Sequence, residues 1–395
     1  MERVSGWAAL IRREAERLLR AGVASRAFPG GVAFISCRWP DGQLDEITAV
    51  GGTLFPEGEH PARGTALAVR EDTIYDLAEL TKSVFAAICL RLVERGRISL
   101  ELRAEQIFPD LKGTVGGVAT LEALLRHDAG LAPWGGLYLD LPHEKGSTSA
   151  RRWILSEAAR RSMERGHNRK VQSDLGYIVA SEVIVRSTGM DLAAHLRKEI
   201  VDPLGLDPLD LCYPPALSIE RLGAFHKRVA PTERDEWRGR WLRGEVHDEN
   251  CHVMGGISGH AGLFGTARGV GRFARALLDG WMGRPSQLLS KASTDQMVAL
   301  KGRGGFGIGL SAKHHWGGEL IGKRLSDESL GQVGVTGTSF WCDPVHDVVI
   351  VLLTNRVCPS RANRKIDGFR PVFHDAILSI IQQGRAAKGS SSQES

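Results

Sequence analysis

The chain is poor in several features that would have announced a function. Its six cysteines, Cys37, Cys89, Cys212, Cys251, Cys342 and Cys358, are scattered along 395 residues with no CxxC pair. That argues against a disulfide framework or a zinc site, and for reduced thiols in the core or at the surface. No lysine/arginine run reaches five residues and the net charge is only +5, so nucleic acid is not expected as a partner. No apolar stretch approaches the roughly 18 residues of a membrane span; the longest strand-like run is VVIVLL, Val348 to Leu353. The opening MERVSGWAALIRREAERLLRAG holds no apolar core before a small-residue cleavage site, so it does not read as a secretory signal. Together these absences point to the cytoplasm. HExxH is missing as well. In VHDEN, with His252 and His260 nearby, His247, Asp248 and Glu249 are too closely consecutive to converge on one ion. No metal and no cofactor is expected.

What is present is an ordinary globular composition, 42% hydrophobic and 25% charged. The length exceeds the roughly 250–300 residues of a single core, so one large or two closely packed domains are expected. Leu10, Ile11, Leu18 and Leu19 have the spacing of an amphipathic helix, and the span from about Glu79 to Arg95 reads as a buried helix stopped by Gly96. The middle, from about Thr120 to Gly205, is helix-rich, and residues 207–245 read as a long connection. Thr266 is a candidate N-cap, glycine-punctuated strands follow, and a last helix runs from about Arg370 to Gln383. These patterns predict a sheet lobe from residues 1–78 and 265–383, a mainly helical lobe from 79–264, and a disordered polar tail at 384–395. A site is expected at the seam between the lobes.

Five segments carry a resemblance. DTIYDLAELTK, LEALLRHDAGLAPW, VQSDLGYIVASEVIVRSTGMDL, GEVHDENCHVMGGISGHAGLFGTARGVGRFARALLDG and GQVGVTGTSFWCDPVHDVVIVLLTNRV occur in this order. They resemble the penicillin-recognising serine hydrolases: class C β-lactamases, D,D-peptidases and their esterase relatives. The similarity extends from about Pro29 to Ile381. It implies an α+β, β-lactamase/transpeptidase-like fold, with an antiparallel sheet flanked by helices and an inserted all-helical lobe. The family's chemistry uses Ser-x-x-Lys at a helix N-terminus, a tyrosine loop that shuttles protons, and a basic-hydroxyl-glycine strand edge that supplies an oxyanion donor.

In this chain the matching positions read Glu79-Leu80-Thr81-Lys82, Gln172-Ser173-Asp174 and Gln332-Val333-Gly334. The lysine, the acid and the glycine remain; the serine, the tyrosine, the basic residue and the hydroxyl do not. Asp128-Ala129 also stands where the family often has two small hydroxyl residues. Ser83 lies one turn beyond Glu79 but would need a lysine at 86, where Ala86 stands. GISGH around Ser258 lacks the closing glycine of a nucleophile elbow.

An i,i+3 ion pair between Glu79 and Lys82 is expected at the cleft floor, and it would hold the Glu79 carboxyl low. Gln172 and Gln332 can hydrogen-bond but cannot transfer protons near neutrality. Asp128, Trp134, Tyr138 and Thr336 are the ligand-binding candidates, with packing between lobes as the competing role for the two aromatics. The reading favours a family member that has lost acyl-serine chemistry and keeps its cleft as a binding or regulatory site for a small molecule or peptide. The competing reading is an ester or amide hydrolase rebuilt around Glu79, Lys82, Asp174 and Asp128. A scaffold whose interaction surface lies elsewhere is the third, and no protein partner is named.

Overall fold

The structure, a computed structural model, describes residues 6–56, 58, 67–163, 171–302 and 304–391. Six strands form one antiparallel sheet: Gly30–Arg38 (β1), Leu44–Gly52 (β2), Ser311–Ala312 (β3), Leu330–Val333 (β4), Ser339–Asp343 (β5) and Val348–Thr354 (β6). Their order is β2-β1-β6-β5-β4-β3, so a strand from early in the chain lies beside one from its end. The β1–β6 register runs from Gly31 opposite Thr354 to Cys37 opposite Val348. Both strands are covered on both faces and read as near-continuous apolar runs, whereas the edge strand β2 alternates between buried and exposed residues.

Six longer helices matter to the argument: Gly6–Ala24 (α1), Leu80–Glu94 (α2), Thr148–Arg160 (α3), Asp174–Thr188 (α4), Ala267–Trp281 (α5) and Ile366–Ser391 (α6). On one sheet face α1 and α6 bury Ile11, Leu19, Phe373 and Ile377 against Ile35, Trp341 and Ile350. On the other, Phe273 and Leu277 of α5 pack with Phe340, Val349 and Val351, in a core continuous with that of α2 and α4. The expected caps are present. Thr266 Oγ1 accepts the Gly269 N–H at 3.0 Å, and Gly96, just beyond α2, takes a left-handed φ of 62°.

Two expectations need correction. Residues 207–245 are not a plain connection: they hold a helix, Ile219–Arg228, and a hairpin of Pro231–Asp235 with Arg240–Arg243. Phe225, Val229 and Leu242 are buried there and supply the apolar anchors that make those elements worth ordering. Leu211–Cys212 also joins a small sheet with Tyr75–Asp76 and Phe264–Gly265. The insert is therefore helix-rich rather than all-helical.

The tail is the second correction. Helix α6 runs on to Ser391; residues 392–395 lie outside the described ones. A Cβ at Gly384 would stand 2.7 Å from the Trp39 ring, so the helix lies directly on that indole. Arg385 Nη1 donates to the carbonyl of Arg38 at 2.7 Å, and Lys388 Nζ pairs with Asp41 at 2.7 Å. Polar composition alone hid these tertiary anchors. All six cysteines are buried and free, as expected. Among the described residues no helix is long and apolar enough to cross a membrane.

Candidate functional site

The three motif segments converge where the N-termini of α2 and α4 meet strand β4. Glu79 is the N-cap residue of α2, and Ala78 just before it has φ = 48°, uncommon for a residue with a Cβ. The Asp76 carboxylate holds that bend by accepting the Ala78 N–H at 2.9 Å. Such local strain persists only where the surroundings over-determine it, and it concentrates at functional sites. Three residues on, Lys82 is almost wholly buried, and its Nζ lies 2.5 Å from Asp174 Oδ1 at the start of α4. The Tyr177 ring is 5.9 Å from that ammonium. Asp174 is also placed where the positive end of the α4 dipole favours an anion.

Lys82 is therefore paired, but with Asp174 rather than with Glu79. Glu79 Oε2 accepts the backbone N–H of Val335 at 2.7 Å. Val335 directly follows Gly334, where a Cβ would stand 2.2 Å from Thr338 Oγ1 and 3.0 Å from the Leu77 carbonyl. Only glycine lets the strand end approach α2 this closely. Burial pushes the Glu79 carboxyl above the ordinary carboxylate value; the Lys82 charge opposes that rise and the Asp174 charge adds to it. This reverses the expected depression, because the lysine's short contact goes elsewhere.

The two glutamines meet. Gln172 Nε2 donates to Gln332 Oε1 at 3.1 Å and to Ser311 Oγ at 2.5 Å. Gln332 is fully buried. Behind them the His127 ring accepts the Ser173 N–H on Nδ1 at 2.9 Å. Burial holds this imidazole well below its usual pKa, and the Lys82 charge adds to the effect, so it is neutral.

The ligand-binding candidates disperse. Thr336 is buried and its hydroxyl donates to the Asp76 carbonyl at 2.8 Å, a tie between strand and helix entry rather than a group open to ligand. Tyr138 packs edge-on against Trp237 with ring centres 4.7 Å apart. Asp128 lies against Gly302, and Trp134 is half exposed. Ser83 is buried, with its hydroxyl committed to the Gly309 carbonyl.

Residues outside the motifs also form groupings the sequence reading did not see. Ser258 Oγ, His260 and Asp248 form a row with both contacts at 2.9 Å. Ser258 has no exposed surface and His260 almost none, so that row lies largely in the interior. His247 pairs with Glu233 at 3.1 Å, and Glu249 with Arg361 at 2.8 Å. No group of three or more metal-ligating side chains occurs among the described residues. Val335 and His127 were missed because a backbone donor leaves no trace in side-chain type, and a histidine's partners depend on the fold.

A sequence profile described as Beta-lactamase matches residues 15–369. The chain belongs to the β-lactamase family. It is 26% identical to the N-acetylmuramyl-L-alanine amidase of Bacillus subtilis (strain 168), over 87% of this chain and 80% of that protein. It is 28% identical to the putative D-alanyl-D-alanine carboxypeptidase of Escherichia coli (strain K12), over 75% and 71% respectively. Two solved structures share the fold. EstCE1, a hydrolase with promiscuous acyltransferase activity, superposes with a TM-score of 0.70 at 17% identity, over 95% of this chain and 100% of that one. Unliganded simvastatin synthase (LovD) from Aspergillus terreus gives 0.67 at 19% identity, over 96% and 100%. The fold of this β-lactamase-family chain is thus α+β and β-lactamase/transpeptidase-like.

Proposed function

We propose that this family member no longer forms an acyl-serine intermediate and that its cleft serves as a binding or regulatory site for a small molecule or peptide. The observation that carries the reading is the 2.7 Å bond from the Val335 N–H to the Glu79 carboxylate. By family resemblance, Glu79 stands at the nucleophile position and the strand end after Gly334 supplies an oxyanion donor. Acyl transfer needs that donor free for developing charge; here a tethered carboxylate sits on it. Lys82 is engaged by Asp174, and Gln172 by Gln332, and neither glutamine can shuttle a proton. Six buried cysteines without a disulfide support a reducing compartment, the cytoplasm, as the place of action.

The test is labelling of purified protein with a fluorescent penicillin and a fluorophosphonate, with p-nitrophenyl acetate turnover alongside. A Glu79→Ser/Gln172→Tyr/Gln332→His variant runs in parallel. The expected result is no labelling of the natural chain and recovery in the variant. Stoichiometric labelling of the natural chain would overturn the reading.

One observation favours a second reading, an ester or amide hydrolase rebuilt around Glu79 and Lys82. A carboxyl whose pKa is raised by burial is a better general base near neutrality than an ordinary one. Saturable turnover that disappears in Glu79→Ala would establish that alternative.

A further inference from the structure

The short helix Leu192–Leu196 runs on as a single π turn, Arg197–Val201, in which the Asp202 N–H donates to the Arg197 carbonyl at 2.9 Å. Isolated π turns are rare in helices and frequently mark functional sites. This one borders a cavity of about 380 Å³ that none of the motif residues lines. Buried Leu196, Val201 and Leu211, with partly buried Leu217, give it apolar walls. Arg197, Arg221 and Glu220 bring charges to the lining, and Ser218 brings a hydroxyl that caps no helix N–H. Ile219, whose neighbours on both sides line the cavity, is 89% exposed, an uncovered apolar group beside it.

The volume lies at the small end of the range for ligand pockets, roughly 300–1,000 Å³, and the aliphatic walls suit an alkyl chain. The charged groups select its head. Arg221 pairs with no carboxylate among the described residues. Arg197 Nε lies 3.6 Å from Asp202 Oδ1 with both side chains mostly exposed. An exposed pair of that kind contributes little, so this guanidinium is open to exchange. A guanidinium matches the two oxygens of a carboxylate. Glu220 opposes such an anion by like charge. A second cavity, beside Trp153, is closed in this respect: its Arg152 is already bonded to Asp110, which lines it too.

We infer that this cavity binds a medium-chain aliphatic carboxylate. The chain lies against Leu196, Val201, Leu211 and Leu217; Arg221 holds the carboxylate, with Arg197 as the second cation of the lining. The site stands whether or not the cleft turns over an ester. A three-stranded sheet links the two: Leu211 lies opposite Gly265, and Gly265 opposite Tyr75, three residues before the Ala78 bend.

The test is isothermal titration calorimetry of the full chain with sodium octanoate, 1-octanol and sodium acetate, at ionic strength held constant with sodium chloride. The expected result is saturable octanoate binding, weaker binding of octanol, and none of acetate at the same concentrations. Arg221→Gln should raise the octanoate Kd about tenfold, the loss of one charged hydrogen bond. Glu220→Gln should lower that Kd by removing the like charge. Ala216→Trp, at an exposed position of the lining, fills the cavity and should abolish binding. All three substitutions are at exposed positions, and an unchanged Tm without ligand verifies that the variants fold. No saturable octanoate binding, octanol bound as tightly as octanoate, or octanoate binding left intact by Ala216→Trp would overturn the proposal.

Discussion

Two buried cations in this molecule are treated in opposite ways. Lys82, in the first turn of α2, is met by the Asp174 carboxylate at 2.5 Å. Arg370, between α6 and the sheet, has a buried Nε that nothing accepts. The first grouping is closed on itself: Glu79 has the Val335 N–H, Lys82 has Asp174, and the two glutamines have each other. The second is open. A polar cluster whose members satisfy one another stabilises the fold around it, whereas a buried donor left unpaired costs free energy. Motif inspection would have ranked them the other way.

The sharpest way to break the contrast is Lys82→Met. Removing one member of a buried pair should lower stability by about 4 kcal/mol, because Asp174 loses its counter-ion. Urea denaturation reads this directly, and a loss below about 1 kcal/mol would mean that the pair is not closed in solution. Arg370→Met should show no comparable loss.

Acid stability is the next test. His374, one turn beyond Arg370, is buried, its Nδ1 is 2.7 Å from the Ile321 carbonyl, and burial holds its pKa down to about 4. The folded state therefore disfavours the proton that the unfolded chain binds near pH 6.5. The resulting stability is fully present above about pH 6.5 and is lost as pH falls toward 4, on the order of 3 kcal/mol in total. Denaturant midpoints from pH 7 to 4 should show that slope, and His374→Gln should flatten it. An equal slope in the variant would assign the effect to other groups.

Smaller effects separate the glutamines from the glutamate. Gln332→Ala should cost about 2 kcal/mol, since it opens buried space and takes an acceptor from Gln172. Glu79→Gln should change stability by less than about 1 kcal/mol, because an amide oxygen still accepts the Val335 N–H. A large loss in Glu79→Gln, measured by the same denaturation, would mean that its charge is integral to the Lys82–Asp174 pair.

Much of the architecture could be read before folding. Strand VVIVLL, the α2 helix with its Gly96 stop and the Thr266 cap all depend on local pattern, and pattern survives in one dimension. Glu79, Lys82, Asp174, Gln172 and Gln332 could be picked out together because the motif segments recur in fixed order. What could not be read was who partners whom. The expectation of a Glu79–Lys82 pair used the only distance a helix provides; Asp174, 92 residues away, won because α4 delivers its carboxylate to the ammonium. The tail was misjudged for a similar reason, since its anchors Trp39, Arg38 and Asp41 come from the other end of the chain.

The family and the α+β layering were legible in the linear order of residues, together with the residue types at the motif positions, Glu79, Lys82, Gln172, Asp174 and Gln332. It took the folded chain to put the Glu79 carboxylate on a backbone donor, to make Thr336 a strut, and to bury Arg370 with an Nε that nothing accepts. Residue type sets what a group can do. The charge, burial and donors around it are set by segments distant in sequence, and those decide what it does.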